Sequence, residues 1–326
     1  MAATTYLEAI RQALGEEMAR DPSVILLGED IGVYGGAFQA TAGLLERFGW
    51  ERVIDTPISE TAIVGAAIGM SYLGLRPVVE MQFMDFIACA FNSLTNYAAK
   101  SHYLWGAPVP IVVRGPSGGG VHGGPFHSGS PEMHFVHTPG LKVVCPATPS
   151  DAKGLLKSAI RENNPVLFFE HKFLYRRIKE DLPPASGDDA IPLGKAVIRR
   201  PGRDLTIVTY AAMLHASLEA AAALSKEGIE AEVVDLRTLA PLDREAIFAS
   251  VRRTNKLLVV HEDVRTGGIA GEIAALATGE LFAELDGPIR RVTGLDTPVP
   301  FSPPLEEFFL PSAATIAAAA RELAAY

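Results

Sequence analysis

The chain has 326 residues, 48% hydrophobic and 21% charged, which supplies core material for about two domains and excludes a disordered polypeptide. Lys and Arg total 29 against 38 Asp and Glu, a net charge of −9 with no long basic run, which excludes a sequence-independent nucleic-acid binder. With only Cys89 and Cys145 present, neither a disulfide scaffold nor a paired-cysteine zinc motif is available.

In chain order, apolar runs alternate with helical periods, the pattern of a parallel α/β sheet. A first helix starts at Thr5, with Glu8 three residues on as a capping box. Leu7, Ile10, Leu14 and Met18 line its inner face. This acidic amphipathic start lacks the basic and apolar blocks of a signal peptide. Short strands follow at 24–27 and 53–54. The second runs into Asp55-Thr56-Pro57-Ile58-Ser59-Glu60 and an Ala/Gly-rich helix over 61–75, too short for a membrane span of ~20 residues. A soluble, cytoplasmic protein without membrane contact is expected. The pattern then predicts a strand over 77–81, a long helix over 83–103, and a strand over 109–114 that enters a glycine run. A strand over 143–145 precedes Thr148-Pro149-Ser150-Asp151, which reads as N-cap, N1 proline and a second capping box. A helix over 151–162 and a strand over 166–170 close this half. Residues 182–192, rich in Pro, Gly, Ser and Asp, read as a linker. Beyond it lies a second α/β series, with strands near 205–210, 231–235, 256–261 and 289–293. Its helices fall near 211–227, 243–252, 268–281 and 312–325. The expected domains are 1–184 and 190–326.

Three motifs invite chemistry. Gly118-Gly119-Gly120-Val121-His122-Gly123 fits the dinucleotide fingerprint, and Gly115-Pro116-Ser117-Gly118-Gly119 fits the hydrolase nucleophile elbow. Both need a helix to open at the motif: the Gly124-Pro125 that follows denies it to the first, and the glycines directly after Ser117 deny it to the second. Four of the eight histidines, His122, His127, His134 and His137, crowd this region. No predicted helix aligns them for a metal, and Glu132 is the one adjacent carboxylate. One histidine on a mobile segment suits proton transfer, because imidazole titrates near neutrality. Glu60 opens a helix, where a carboxylate either complements the dipole, worth ~0.3–1 kcal/mol, or binds a ligand. Spacing leaves both open.

Gly28-Glu29-Asp30, Asp55-Thr56-Pro57-Ile58-Ser59-Glu60, Pro139-Gly140-Leu141-Lys142-Val143-Val144, Asp151-Ala152-Lys153-Gly154-Leu155 and Asp235-Leu236-Arg237-Thr238-Leu239 occur in order. Together they resemble the β subunit of the thiamin-diphosphate-dependent decarboxylating component of 2-oxo acid dehydrogenase complexes, over essentially the whole chain. The resemblance implies a transketolase-like α/β fold, with a pyrimidine-binding domain followed by a C-terminal transketolase-type domain. It implies an α2β2 heterotetramer whose α subunit holds Mg2+ and the diphosphate through a Gly-Asp-Gly motif, which this chain lacks. It further implies a small 2-oxo acid substrate, branched-chain or pyruvate, and a lipoyl-bearing acyltransferase as partner.

Residue by residue, Glu60 matches the glutamate that hydrogen-bonds the pyrimidine nitrogen. That bond favours the imino tautomer that deprotonates the thiazolium C2, and thiamin then serves as the electron sink for loss of carbon dioxide. Ile58 and Gln82 match pyrimidine contacts, and Phe86 matches an aromatic position often occupied by tyrosine. Glu29 matches a carboxylate in a channel between active sites, whose further acidic position falls at Cys89 here. His127 matches the histidine of a His-Ser pair that serves proton transfer and positions the intermediate or lipoamide. Gly129 stands where the family usually has Gln. A potassium site in some members matches Ile111, Ala159, Ile160, Glu162 and Asn164, mostly through backbone carbonyls. Residues 126–132 lean towards branched-chain members. Residues 296–302 and 311–313 lean towards the acetoin-cleaving members, so an acetoin dehydrogenase β subunit is the alternative, and a non-complex thiamin-dependent synthase stands behind it.

Overall fold

A computed structural model describes residues 3–182 and 189–326. The chain forms two compact units. One comprises Met1–Ser117 and His134–Leu193, the other Gly118–Met133 and Gly194–Tyr326. The expected linker lies largely outside the described residues, since only Leu182 and 189–192 of it are placed.

In the first unit, α1 (Tyr6–Arg20) starts as expected. The Thr5 side chain accepts from the Glu8 amide, and Glu8 answers on the Thr5 amide. The main strands are β1 (Val24–Gly28), β2 (Val53–Asp55), β3 (Arg76–Glu80), β4 (Val112–Ser117), β5 (Lys142–Val144) and β6 (Val166–His171). They stand side by side in the order β5-β6-β4-β3-β1-β2, and every one of these pairings is parallel. β1, β4 and β6 are buried along their whole length, as a sheet covered on both faces requires. α2 (Glu60–Tyr72) follows β2, and α3 (Pro149–Arg161) packs on α1, where Arg161 meets Glu17 at 2.7 Å.

Two local expectations are corrected. Thr148 caps α3 by accepting from the Asp151 amide, but no reciprocal box forms. The short Asp151 carboxylate takes the Thr148 hydroxyl at 3.1 Å instead. The single helix expected over 83–103 is three pieces: a 3-10 stretch Met84–Ala90, a π-helical stretch Ser93–Ala98, and an α-helix Ala99–Trp105. Thr95 Oγ1 donates to the Phe91 carbonyl one turn back (2.8 Å), and Asn96 bonds Asn92 (2.8 Å). The Thr95 bond competes with the backbone ladder, as hydroxyls that deform helices do, whereas the asparagines pair through their side chains alone.

In the second unit, a five-stranded sheet is built from β7 (Val197–Arg200), β8 (Leu205–Thr209), β9 (Ala231–Asp235), β10 (Leu257–Val264) and β11 (Arg290–Gly294), in the order β11-β10-β8-β9-β7. All pairings are parallel except β9 with the edge strand β7. Helices α4 (Met213–Ser225), α5 (Arg244–Thr254), α6 (Ile269–Leu281), α7 (Pro303–Phe309) and α8 (Ala313–Ala324) complete it.

Candidate functional site

In the first unit the site grows from strand ends. Gly28 of β1 pairs with Asp55 of β2 and with Glu80 of β3, so three parallel strands finish level with one another. Their following residues, Glu29-Asp30, Thr56 to Glu60, and Met81-Gln82, therefore share the carboxyl edge, where open α/β sheets bind ligands. Asp55 Oδ1 accepts from the Gly32 amide (2.6 Å), and the Thr56 amide donates to Gly28 O (2.9 Å), which fixes both turns.

Glu60 is the first residue of α2, half-buried, behind an N-cap serine whose side chain makes no capping bond. Glu29 is buried at 5% exposure. Burial raises its pKa, the Glu60 charge raises it further, and the Ser59 amide that it accepts from opposes both. Gln82 is half-buried and donates to Asp30 Oδ2 at 3.3 Å. Ile58 is 80% exposed beside this acidic pair. Phe86 is half-buried and stands edge-on to Phe83, with centroids 6.1 Å apart. Thr61 Oγ1 donates to the Cys89 carbonyl, tying the Phe86 stretch to the start of α2. A carboxyl, an amide, an aliphatic group and an aromatic ring along one edge suit a flat, nitrogen-bearing heterocycle.

His127 lies in the second unit, on the Gly-rich segment Gly118–Met133. It is half-buried, and its amide donates to Gly124 O at 3.2 Å. The amides that a phosphate would use in this segment are already taken. Gly119 N–H donates to Glu262, and the Gly120 and His122 amides donate to Glu306 at 3.0 Å each. Two carboxylates on these donors repel a phosphate, which removes the dinucleotide reading. Ser117 is buried within β4, with Oγ 3.4 Å from the Glu170 carbonyl, so it does not occupy an exposed nucleophile elbow.

Besides Glu132, the adjacent carboxylate already visible in the sequence, three carboxylates that sequence reasoning missed serve or adjoin this segment: Glu262, Asp263 and Glu306. Glu132 accepts from the Tyr210 hydroxyl at 2.5 Å. Asp263 is raised to about 8, by burial first and then by the Glu132 charge. Burial also lowers His261 to about 4, so this histidine is neutral near pH 7. A helix-start glutamate beside an exposed Glu307 gives no signal of such a role.

The expected potassium set is in the first unit. Arg76 donates to the carbonyls of Ile160 (2.9 Å) and Glu162 (2.7 Å). Ile111 O accepts from Val166 N–H and Ala159 O from Glu162 N–H. Lys142 pairs with the Glu162 carboxylate at 2.5 Å, and Asn164 Oδ1 bonds His102 at 2.8 Å. A potassium ion here would share these oxygens with the Arg76 guanidinium and the Lys142 ammonium. Among the described residues, no group of three or more His, Cys, Asp or Glu is placed to hold a metal, and no helix is long and apolar enough to cross a membrane.

Residues 2–177 match the transketolase pyrimidine-binding domain family, and residues 194–316 match the transketolase C-terminal domain. The chain is 50% identical to the 2-oxoisovalerate dehydrogenase subunit beta of Bacillus subtilis, over 100% of both chains. The chain belongs to the E1 β-subunit family of 2-oxo acid dehydrogenases. Within that family it is 45% identical to the pyruvate dehydrogenase E1 component subunit beta of Bacillus subtilis, over 99% of each. It is 49% identical to the acetoin:2,6-dichlorophenolindophenol oxidoreductase subunit beta of Cupriavidus necator, over 96% of this chain and 95% of that one. Among solved structures, a split-gene transketolase described as an inactive beta4 tetramer superposes with TM-score 0.80 at 24% identity, covering 99% of each chain. A Pichia stipitis transketolase gives 0.72 at 17% identity over 100% of this chain and 46% of the other. At these identities the two structures speak for the fold alone.

Proposed function

We propose that this E1 β chain supplies the pyrimidine half of a thiamin-diphosphate site in an α2β2 enzyme. The enzyme decarboxylates a branched-chain 2-oxo acid or pyruvate and acylates the lipoyl group of an acyltransferase. The observation that carries the reading is the Glu29–Ser59–Glu60 arrangement at the level ends of β1, β2 and β3.

Bound thiamin supplies an electron sink for the carboxylate's electrons. This chain's residues bind and orient it. Glu60 offers its carboxyl to the ring nitrogen, Ile58 and Phe86 supply apolar contact, and Gln82 is held by Asp30. Glu29, with its raised pKa, holds a proton more readily than an exposed glutamate and limits the negative charge beside Glu60. The partner α subunit holds Mg2+ and the diphosphate. A potassium ion would be structural, held by oxygens of Ile111, Ala159, Ile160, Glu162 and Asn164. His127 holds or moves a proton during transfer to lipoamide.

The test is co-purification with the α candidate, followed by carbon dioxide release from branched 2-oxo acids and pyruvate, and by acetoin cleavage, with and without thiamin diphosphate. The reading predicts turnover of a 2-oxo acid only with both chains and cofactor present. Turnover by rigorously purified β alone contradicts it, and activity confined to acetoin selects the alternative suggested by residues 296–302.

A further inference from the structure

Glu306 is 1% exposed, yet it is a carboxylate on α7, behind Pro303-Pro304. It shares a buried face with Phe309, three residues on, while its neighbour Glu307 faces solvent. Burying a charge is costly unless hydrogen bonds replace its water. The Glu306 carboxylate finds its partners on one turn. Oε1 accepts from the Gly120 amide (3.0 Å), and Oε2 accepts from the His122 amide (3.0 Å) and sits 2.7 Å from His122 Nδ1. Glu262, at 7% exposure on β10, accepts from Gly119 N–H beside it.

The turn is shaped for these carboxylates. A Cβ on Gly119 would lie 3.2 Å from Glu306 Oε1 and 3.4 Å from Glu262 Oε1, so glycine lets both close on the backbone. His122 adopts φ +59, a left-handed conformation costing roughly 1–2 kcal/mol for such a residue. Its amide and ring both bond Glu306, which opposes that cost.

The same turn is mechanically joined to His127. Gly118 N–H donates to Gly129 O at 2.9 Å, closing residues 118–129 into a compact loop with neighbouring ends, a form often used for function. Inside it, a Cβ on Gly123 would stand 2.8 Å from Ser128 Oγ and 3.1 Å from His127 Cβ. Gly123, the residue after the clasped turn, thus leaves no side chain in the way, and the His127–Ser128 stretch passes close to its backbone.

We propose that Glu306 is a positioning residue for His127. It clasps the turn at Gly120 and His122, and so sets the imidazole for transfer of the acyl group to the lipoyl arm. This inference rests on the proposed function for the role of His127, but the clasp itself can be read without any activity.

The test uses the assembled complex with Glu306→Gln, which keeps side-chain volume while turning an acceptor into a donor against the turn's N–H groups. Hydrogen exchange followed by mass spectrometry on the 118–129 peptide reports the clasp. Exchange at Gly120 and His122 should rise ~10-fold or more, while α7 and the sheet keep their protection. Unchanged exchange overturns the clasp. Two half-reactions report the positioning role: decarboxylation read with an artificial electron acceptor, and acylation of a lipoyl domain. Acylation should fall ~10–100-fold, the scale of a misplaced catalytic group, with decarboxylation preserved within ~2-fold. Added to His127→Ala, Glu306→Gln should cause no further loss. Equal loss in both half-reactions, or losses that multiply with His127→Ala, overturn the positioning role. A wild-type complex that decarboxylates no 2-oxo acid sinks the functional reading instead, and the exchange result still decides the clasp.

Discussion

Glu29, on the turn after β1, and Glu60, at the start of the helix after the adjacent β2, are coupled through one backbone amide and one charge. The Ser59 N–H, immediately before Glu60, donates to Glu29, and the Glu60 carboxylate raises the Glu29 pKa on top of the effect of burial. Removing the Glu60 charge therefore lowers the Glu29 pKa relative to wild type. Carboxyl-carbon NMR of Glu60→Gln against wild type checks this. An unmoved Glu29 titration means that the two carboxyls do not communicate.

His127→Ala separates the two half-reactions. Decarboxylation measured with an artificial acceptor persists, and lipoyl acylation falls ~100-fold or more, as expected for loss of a general acid–base group. If both fall together, the histidine serves the first step as well.

Arg114 is the structural counterpart of the site, one strand from it. It is 1% exposed, pairs with Glu80 and Glu170, and reaches Glu170 Oε2 at 2.6 Å, where the Tyr175 hydroxyl also donates at 2.6 Å. Arg114→Met leaves two buried carboxylates without their cation and costs ~3–5 kcal/mol. Chemical denaturation of the chain measures it. A loss under ~1 kcal/mol shows that the carboxylates take up protons at little cost.

Much of this architecture is legible in the sequence, because local signals and tertiary packing agree. The Thr5/Glu8 cap, the apolar strands and the carboxylate-bearing turn at Glu60 all appear where their residues imply. The broken helix after Phe83 is not legible, because the Thr95 hydroxyl takes up a backbone carbonyl that a periodicity count assigns to the helix ladder. Nor is the placement of Gly118–Met133 in the second unit, since its partners Tyr210, Glu262 and Glu306 lie far along the chain. Glu60 and His127 emerge as candidates from residue type and resemblance, whereas Glu306 becomes visible only once its burial and its partners are known.

Asp263 makes stability pH-dependent. Its pKa is raised from an ordinary ~3.9 to about 8. Between those values the folded chain binds more protons than the unfolded one, so this group's stabilisation is complete below ~3.9 and is lost as pH rises through about 8. Asp263→Asn keeps an oxygen for the Val264 amide, which now bonds Asp263 Oδ1 at 2.7 Å, and removes the titration. Its melting temperature should gain on wild type as pH rises from ~5 to ~9. Parallel melting curves across that range contradict the assignment.

The central claim is that the Glu60 carboxyl activates bound thiamin from this chain's side of the site. Hydrogen–deuterium exchange at the thiazolium C2 of thiamin diphosphate, measured by quenched-flow NMR on the assembled wild-type and Glu60→Gln complexes with cofactor bound to both, addresses it directly. The account predicts exchange slower by ~100-fold or more in the variant, the scale of a lost general acid–base contribution. Equal exchange rates with equal cofactor occupancy would contradict it.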